Sequence, residues 1–487
     1  MRTISHPKYE AVIGLEVHSQ LLTQSKAFAA VTPEFGNAPN TNVTPLCLGH
    51  PGTLPVLNEN LVNYIIKMGL ATDCKIAERS IFARKNYFYP DLPKGYQISQ
   101  FDTPICYDGF VDIEVGEGVD KYVKRIGVTR IHMEEDAGKS IHDQDPFNTL
   151  IDLNRAGTAL IEIVSEPDLR TPAEAGSYLR LIKQIVQYLE ICDGNMEEGS
   201  LRCDANVSVR PRGQEKLGTR TELKNMNSFS NVEKAIQYEI ERQIELVESG
   251  GTVIQQTLLW DSNKMVTRKM RSKEDAHDYR YFPEPDIPPV VVTKEHLDSI
   301  RAELPELATK RQKRFMSDMG MSKDDAVTLT DDRYLADYFE NVNAIVNSPK
   351  ATVNVILSQV LRVLNEESIN IKEFSIDAPR LAALIQMKEA DKISSTGLQS
   401  IFADMLKSED TAEAIAKRLN LLQVSDNSFL EPIIDSVMAN SPDEVARFRE
   451  GKKNLMGFFV GQIMKETKGR ANPKEVTSML MAKLNAQ

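Results

Sequence analysis

The spacing of the apolar residues changes once along this chain, and the change limits the folds that the chain can adopt. Up to about Val292 the sequence consists of short alternating apolar and polar runs separated by glycine and proline, which is typical of β-strands joined by turns. Beyond Val292 the apolar residues recur at helical spacing as far as the C-terminus. The proline-rich residues 283–289 cannot form a helix and predict an extended connector. We therefore expect an α+β protein with a strand-rich domain first and helices after it.

The length of the chain predicts more than one domain. At 487 residues it is too long for a single compact core and should divide into two or three domains. Residues 393–397 interrupt the helical pattern, and a new helical unit starts near Thr411. We predict a sheet domain over residues 1–292, an all-α domain over residues 293–408 and a small all-α tail over residues 409–487.

Three helices can be placed from local signals. Thr171, Pro172 and Glu174 have the residue types of an N-cap, a first helical position and a third one, and an apolar helical pattern follows them. A second helix is expected from about residue 231 to residue 248. Residues 472–475 have the same pattern of cap, proline and glutamate, with asparagine as the cap, and predict the start of the last helix.

The charge of the chain is unevenly distributed. The net charge of -12 argues against nucleic-acid binding by the body of the protein, but residues 446–487 carry nine basic and three acidic side chains. This net charge of +6 predicts a polyanion-binding tail. A solvated pair of basic helices is the alternative. The candidate contacts to nucleic acid are Lys465, Lys468, Arg470 and Lys474.

Two further classes of protein are disfavoured by the sequence. No stretch approaches the ~20 apolar residues of a membrane span, and residues 1–7 lack the features of a signal or transit peptide, so we expect a cytoplasmic location. The five cysteines form no close pair, which argues against a disulfide framework and a zinc ribbon. We expect them to be reduced and buried.

A carboxylate and an imidazole share one face of the first predicted strand. Alternation over residues 12–18 places Glu16 and His18 on one face and apolar residues on the other. A polar outer face is the ordinary explanation of such a pair. Acid-rich strand segments recur, however, at residues 132–136, 160–166 and 197–204. Acids from several strands on one face are what Mg²⁺ and a nucleoside triphosphate require.

Two other segments point to the same kind of site. Arg202, Asp204 and Asn206 alternate with apolar residues, and Asp and Asn are poor strand formers. Residues 84–96 join three cations to three tyrosines, as a phosphate-binding or base-stacking loop would, although a solvated aromatic loop is an equal alternative. The sequence has no phosphate loop, no Gly-x-Gly-x-x-Gly, no His-Glu-x-x-His and no Cys-x-x-Cys motif. It also lacks a Ser/Gly-rich amidase signature, so the chain does not obviously hydrolyse glutamine.

Six segments carry a resemblance to a known family. Residues 12–18, 84–100, 130–139, 162–168, 195–212 and 461–473 resemble the B subunits of the aspartyl/glutamyl-tRNA amidotransferases. The resemblance implies a cradle domain with a glutamine-synthetase-like antiparallel sheet, a helical domain and a helical tail. It also implies a heterotrimer in which a separate amidase subunit releases ammonia from glutamine and a small third subunit covers the interface.

The resemblance implies a reaction and the residues that carry it. The B subunit would bind tRNA misacylated with Glu or Asp, use ATP and Mg²⁺ to phosphorylate the side-chain carboxylate, and let ammonia displace the phosphate. Glu16, His18 and Glu135 would be Mg²⁺ ligands, with Glu162 added to the catalytic group. The remaining candidate site residues are Arg84, Lys85 and Lys94 for the phosphates and Arg202, Asp204, Asn206 and Lys224 in the same site.

Some members of this family hold a zinc ion with four cysteines. The corresponding positions here are Ala29, Val31, Thr44 and Cys47, so we expect no zinc. A non-catalytic tRNA-binding scaffold remains an alternative function. The archaeal-type E subunit is a further one, but it has an inserted domain for which this chain has no room.

Overall fold

The computed structural model describes residues 6–116, 118–272, 279–423, 427–467 and 471–485. The chain divides into two compact units, residues 1–307 and residues 308–487, and each is described by itself. The first contains the strands and the second is helical, which confirms the expected α+β class. The domain boundaries after residues 292 and 408 stay predictions.

The first unit contains sixteen strands and four α-helices within its described residues. Its strands are β1 (Tyr9–Gln20), β2 (Lys75–Ile76), β3 (Arg79–Ser80), β4 (Ala83–Asn86), β5 (Tyr96–Ser99), β6 (Cys106–Val115), β7 (Tyr122–Glu135), β8 (Lys139–Ile141), β9 (Leu150–Asp152), β10 (Ala159–Ser165), β11 (Leu201–Pro211), β12 (Thr221–Met226), β13 (Gln256–Asp261), β14 (Val266–Ser272), β15 (Phe282–Pro283) and β16 (Val290–Val291). Its helices are α1 (Glu59–Ala71), α2 (Pro172–Tyr188), α3 (Phe229–Glu248) and α4 (Lys294–Glu303), with a 3₁₀ turn at Gly118–Asp120.

A nine-stranded sheet forms the body of this unit. Its strand order is β14-β13-β12-β11-β1-β10-β7-β6-β2. Neighbouring strands are antiparallel except β12 and β13, which are parallel, so the sheet is mixed. The central strand β1 pairs with β10 on one side and with β11 on the other. A smaller sheet joins β15, β4 and β5, and two further pairs are β16 with β3 and β8 with β9.

Helices cover the apolar face of the large sheet. Ile13, Leu15 and Val17 of β1 are fully or almost fully buried, and they belong to the same core as the apolar sides of α1, α2 and α3. The contact between α1 and β6 is close, because a Cβ atom on Gly69 would lie 2.5 Å from the Cys106 sulfur. The opposite face of the central strands is therefore left for polar side chains.

The local signals for the helices are confirmed. Thr171 accepts a hydrogen bond from the Glu174 amide at the N-terminus of α2, and Pro172 is the first residue of that helix. The helix expected from about residue 231 begins at Phe229, capped by Ser228. No helix forms in the proline-rich connector, which runs from the end of the short strand β15 to the start of β16.

The second unit consists of helices. They are α5 (Ala308–Met319), α6 (Lys323–Leu329), α7 (Arg333–Val346), α8 (Pro349–Val355), α9 (Leu361–Glu367), α10 (Ala378–Glu389), α11 (Ser395–Met405), α12 (Ala412–Arg418), α13 (Asn427–Ala439), α14 (Pro442–Arg449), α15 (Met456–Glu466) and α16 (Pro473–Asn485). A π-helical segment, Ile356–Val360, separates α8 from α9, and 3₁₀ turns lie at Ile371–Glu373 and Lys453–Leu455. Buried side chains form one cluster between Phe315 and Ala416 and another between Leu430 and Leu484.

An ion-pair network ties α5 to α7 in this unit. The nearly buried Arg311 donates hydrogen bonds to Asp337 and Glu340, and Arg314 donates to Glu340 over 2.6 Å. Burial by itself would raise the pKa of Glu340, but the hydrogen bonds from Arg314 and Arg311 outweigh it and lower the pKa.

The cysteines are buried and free, as expected. Cys47 lies beside the buried ammonium of Lys26, which also donates to the Asn42 carbonyl over 2.6 Å. The expected absence of zinc stays a prediction. None of the described helices is long and apolar enough to span a bilayer.

Candidate functional site

Polar side chains cover the face of the large sheet that the helices leave open. His18 of β1 lies opposite Glu162 of β10 on one side and opposite Arg202 of β11 on the other. Glu162 lies in turn opposite His132 of β7. Cross-strand partners share a face, so side chains from adjacent strands meet over the middle of the sheet. The polar positions on this face are Glu16, His18, Arg130, His132, Glu134, Glu162, Arg202, Asp204, Asn206, Glu222 and Lys224.

His18, Glu134 and Glu162 form the first of two groups on this face. Their ligand atoms all lie within 4.8 Å of one another. The His18 Nε2 atom is 3.5 Å from a carboxylate oxygen of Glu134 and 3.5 Å from one of Glu162. Both carboxylates are almost buried, so their negative charges face each other and the imidazole with little water between them. Such a group can bind a divalent cation that also takes oxygens from phosphate and water.

His132 of β7 lies close to the same two carboxylates. Its Nε2 atom is 3.4 Å from Glu162 and 3.8 Å from Glu134, and the residue is 4 % exposed. Burial would lower the pKa of His132, but the charge of Glu162 and the hydrogen bonds to Glu134 and Glu162 raise it to about 9. The His132 Nδ1 atom has no hydrogen-bond partner among the described residues.

The two histidines and the carboxylates set one another's charge. The pKa of His18 is raised, because hydrogen bonding to Glu162 and the charges of Glu162 and Glu134 outweigh burial. The pKa of Glu162 is held well below its usual value, because His132 and His18 outweigh the burial of this carboxylate. Each imidazole and the Glu162 carboxylate therefore favour each other's charged form.

Glu16, Asp204 and Glu222 form the second group, also within 4.8 Å of one another. The Lys224 ammonium contacts Asp204 and lies 2.9 Å from Glu222. Asn206 donates a hydrogen bond of 2.9 Å to Glu16. Burial and the charges of neighbouring acids raise the pKa of Glu16, and the two carboxylates beside Lys224 raise its pKa against the effect of burial. This group already contains a cation supplied by the chain.

The three cations expected to bind phosphate differ in their surroundings. Arg84 donates two hydrogen bonds to Glu284, of 2.6 and 2.9 Å, and one of 2.9 Å to Asp286. Lys94 pairs with Glu135 and is nearly buried. Both side chains are therefore neutralised by carboxylates of this chain.

Lys85 is the cation of this group without a described carboxylate partner at ion-pair distance. Its ammonium lies 5.8 Å from the ring centre of Tyr87 and 4.9 Å from that of Tyr279. Burial would lower the pKa of Lys85, but the charge of Glu134 and weaker effects of Tyr281 and Glu162 raise it. The charges of Glu134 and Glu162 therefore favour the protonated form of Lys85.

The structure separates Glu135 from the other expected metal ligands. Alternation along β7 places His132 and Glu134 on the polar face and Glu135 on the opposite one. A Glu135 oxygen accepts a 2.9 Å hydrogen bond from the Ile98 amide as well as the contact from Lys94. Glu16 and His18 share the polar face but belong to different groups.

Arg202 lies at the edge of the first group, where it binds another acid. It donates to Asp136 over 2.9 Å, and Gln20 donates to the same oxygen over 2.8 Å. Burial would raise the pKa of Asp136, but the charges of Arg202 and Arg155 lower it. The Arg202 Nε atom has no described hydrogen-bond partner.

Two of the four basic tail residues can be placed. Lys465 is exposed near the end of α15, and Lys474 is exposed near the start of α16, where it pairs with Asp391 over 2.7 Å. Lys468 and Arg470 lie outside the described residues. The nucleic-acid-binding tail stays a prediction.

Sequence reasoning missed four residues of the site. Glu134 and His132 could have been found, because period-two counting along residues 130–135 puts both on the face of Arg130 and opposite to Glu135. Arg130 has no described ion-pair partner and faces the same side. Glu222 lies on β12, a strand whose register no sequence signal fixed.

Comparisons with known proteins cover almost the whole chain. Residues 11–298 match the model of the GatB/GatE catalytic domain family, and residues 337–484 match that of the GatB domain family. The B subunit of the aspartyl/glutamyl-tRNA(Asn/Gln) amidotransferase of Chlorobium limicola is 54 % identical, over 98 % of this chain and all of that protein. The proteins of the same name from Salinibacter ruber and Geotalea uraniireducens are 50 % and 53 % identical, over 99 % and 98 % of this chain and 98 % and 100 % of their own lengths.

Proposed function

The chain belongs to the family of aspartyl/glutamyl-tRNA(Asn/Gln) amidotransferase B subunits, and on that premise we propose that its polar sheet face phosphorylates and then amidates an amino acid esterified to tRNA. The observation that carries the proposal is the meeting of His18, Glu134 and Glu162 within 4.8 Å. The Lys85 ammonium has no ion-pair partner among the residues that the structure describes, and the charges of Glu134 and Glu162 raise its pKa.

The chemistry explains why such a face is needed. The side-chain carboxylate of Glu or Asp is a poor electrophile, because its leaving group would be oxide. Transfer of the γ-phosphoryl group of ATP to a carboxylate oxygen makes an acyl phosphate, and attack by ammonia then breaks the carbon–oxygen bond and releases phosphate. The protein must hold negatively charged groups together and neutralise them, which is mainly a task of position and charge.

His18, Glu134 and Glu162 would hold Mg²⁺. Two carboxylates and an imidazole at this separation suit a cation that completes its shell with phosphate oxygens and water, and His18 would bind it as the neutral imidazole after losing its proton. When bound, Mg²⁺ supplies charge neutralisation and orientation of the phosphates. In this chain His132 also lies close to both carboxylates, 3.8 Å from Glu134 and 3.4 Å from Glu162. The second group, with Lys224 already among its acids, serves instead to orient bound substrate through Glu16 and Asn206.

Lys85 and Arg130 are the cations that we propose for the phosphates. Neither has an ion-pair partner among the described residues, whereas Arg84, Lys94 and Arg202 each bind a carboxylate of the chain. A cation already paired would have to break that pair before binding phosphate. A cation with no partner among the described residues has no such cost.

We propose that the chain works with an amidase subunit and a small third subunit. The sequence has no amidase signature of its own, so ammonia from glutamine must come from another chain. Misacylated tRNA, either Glu-tRNA(Gln), Asp-tRNA(Asn) or both, would be the substrate. The basic tail would bind the tRNA. The match to a catalytic-domain family favours an enzyme over a non-catalytic scaffold.

The proposal can be tested by comparing Glu134 with its neighbour Glu135, because the two carboxylates lie on opposite faces of β7. We expect Glu134→Gln and Glu162→Gln to lower amide formation from ammonium chloride, ATP and misacylated tRNA by about a hundredfold or more, because each removes charge that the metal and phosphates require. Glu135→Gln should act mainly through stability, since it unpairs Lys94. Glu10→Gln is the matched control, because Glu10 lies on β1 but pairs with Arg210 at its far end.

The assay uses the reconstituted complex with both partner subunits and measures tRNA binding in parallel. Normal amidation by Glu134→Gln and Glu162→Gln with normal tRNA binding would establish the scaffold alternative. If Glu135→Gln lowered amide formation more than Glu134→Gln at equal stability, the metal ligands would instead be Glu16, His18 and Glu135, the set that the resemblance implies.

A further inference from the structure

Arg84 lies in an environment that suits an anchor better than a phosphate contact. Three of its N–H groups bind carboxylates, two of them in a fork with Glu284 and one with Asp286. The guanidinium carbon is also 4.2 Å from the ring centre of Tyr96. The two carboxylates supply more negative charge than the guanidinium can neutralise, so no net positive charge is left for a nucleotide.

The partner of Arg84 cannot give up the pair without a large cost. The Glu284 side chain is fully buried, and the Arg84 side chain is 18 % exposed. A buried carboxylate without a partner is strongly unfavourable, so Glu284 holds Arg84 in place. Glu284 also accepts a 2.9 Å hydrogen bond from the Asp286 amide, which fixes the chain just beyond it.

The pair belongs to a longer set of contacts that fastens one segment to β4. We call residues 279–286 the strap segment. Its Tyr279 carbonyl accepts from the Asn86 amide over 2.9 Å, and its Glu284 amide donates to the Phe82 carbonyl over 2.8 Å. The Asn86 side chain adds a 2.8 Å hydrogen bond to the carbonyl of Arg280. Between these points β15 pairs with β4.

The strap segment carries aromatic rings to the side of Lys85. Lys85 follows Arg84 on β4, so the two side chains point to opposite faces of that strand. The Tyr279 ring lies 4.9 Å from the Lys85 ammonium, and the Tyr281 ring stacks on Phe101 with centres 4.1 Å apart. The pair of Arg84 and Glu284 on one face of β4 therefore helps to fix the position of the Tyr279 ring beside Lys85 on the other face.

We propose that Arg84 and Glu284 are positioning residues, which pin the strap segment so that its Tyr279 ring holds the Lys85 ammonium in place. The inference rests on the proposed role of Lys85 at the phosphates of ATP. It gives Arg84 an indirect part in the reaction: the guanidinium sets the position of another cation. A displacement of ~1 Å at a reacting group can cost up to a hundredfold in rate, so such an anchor is detectable.

The test disturbs the pair from both ends. Glu284→Gln keeps the shape but removes the charge, and Arg84→Lys keeps the charge but removes the fork. In the reconstituted complex, with ammonium chloride as nitrogen donor, each variant should raise the KM for ATP about tenfold and leave the KM for misacylated tRNA unchanged. The double variant should be no worse than the poorer single one, because both changes break the same unit.

The matched control is the pair of Glu10 and Arg210, joined over 2.7 Å and also partly buried, at the far end of β1 and β11. Glu10→Gln and Arg210→Lys define how far the loss of one such pair changes stability and KM. Amide exchange, read by mass spectrometry, should rise in the strap segment of Glu284→Gln and Arg84→Lys and not in the large sheet. The KM comparison needs both variants, and if one of them folds poorly, amide exchange in the strap segment of the other still tests the anchor.

The outcomes separate the inference from the function that it rests on. A raised KM for ATP in Arg84→Lys with a normal one in Glu284→Gln would mean that Arg84 contacts the phosphates itself, and would overturn the positioning role. Normal values in both, with an impaired Lys85→Met variant, would overturn it as well. An unimpaired Lys85→Met would instead remove the proposed role of Lys85.

Discussion

Replacement of Lys85 by methionine tests the proposed phosphate contact most directly. The substitution keeps the length and apolar body of the side chain and removes its charge. The Lys85 ammonium has aromatic rings at 4.9 and 5.8 Å and no described carboxylate at ion-pair distance, so removal of the ammonium leaves no acid among the described residues without its ion-pair partner. The loss should therefore fall on the bound nucleotide.

The size of the effect follows from the contacts that are lost. A hydrogen bond to a charged group contributes about 1.5–3 kcal/mol, which corresponds to a fall of about 10- to 150-fold in kcat/KM for ATP. The lost cation–π contacts contribute only about 0.5–1 kcal/mol each, and they affect stability rather than ATP. We therefore expect a large kinetic change with a small fall in Tm.

The assay is the initial rate of amide formation at several ATP concentrations in the reconstituted complex. Lys75→Met is the control, because Lys75 is an exposed lysine paired with Asp108 over 3.1 Å. It should stay within twofold of the unchanged protein. A kcat/KM for Lys85→Met within that same twofold range would refute the argument that an unpaired cation beside the acids binds phosphate.

Three further predictions concern other parts of the chain. Lys468→Ala with Arg470→Ala should weaken aminoacyl-tRNA binding and reduce the salt slope by about 1 per lost phosphate contact, with ATP binding intact; equal affinity at every salt concentration would exclude the tail contact. Tyr178→Phe should leave the free energy of unfolding unchanged or raise it by up to ~1 kcal/mol, because this buried hydroxyl has no described hydrogen-bond partner; a clear loss in denaturant titration would reveal one. The lowered pKa of Glu340 means that its stabilising effect is present above its ordinary pKa and is lost as the pH falls through the lower folded value, so Glu340→Gln should flatten the acid side of the Tm profile.

Several features of the fold could be read from local sequence. Alternation assigned the two faces of β1, with Ile13 and Val17 buried and His18 on the polar side. Residue types at the start of α2 marked the cap that Thr171 provides. Prolines excluded a helix from the connector before α4. Each of these signals depends on a few neighbouring residues, so no knowledge of the tertiary fold was needed.

The candidate site could be predicted only in part. The sequence pointed to acids on several strands and named His18 and Glu162, which the structure brings to 3.5 Å. The family resemblance favoured Glu135 over its neighbour Glu134, although alternation along β7 puts these two side chains on opposite faces. The sequence could not show that Arg84 is neutralised, because Glu284 is two hundred residues away along the chain.

The amino-acid order alone determined which side chains of each strand share a face, where helices start, and where the strand-rich part gives way to helices. These are consequences of backbone geometry, which repeats every two or 3.6 residues wherever the chain lies. The tertiary structure alone decided which strands are neighbours, in which register, and hence which acids meet and which cations are neutralised. Register is set by the packing of the whole apolar face against α1, α2 and α3, a sum over distant contacts that no short segment contains.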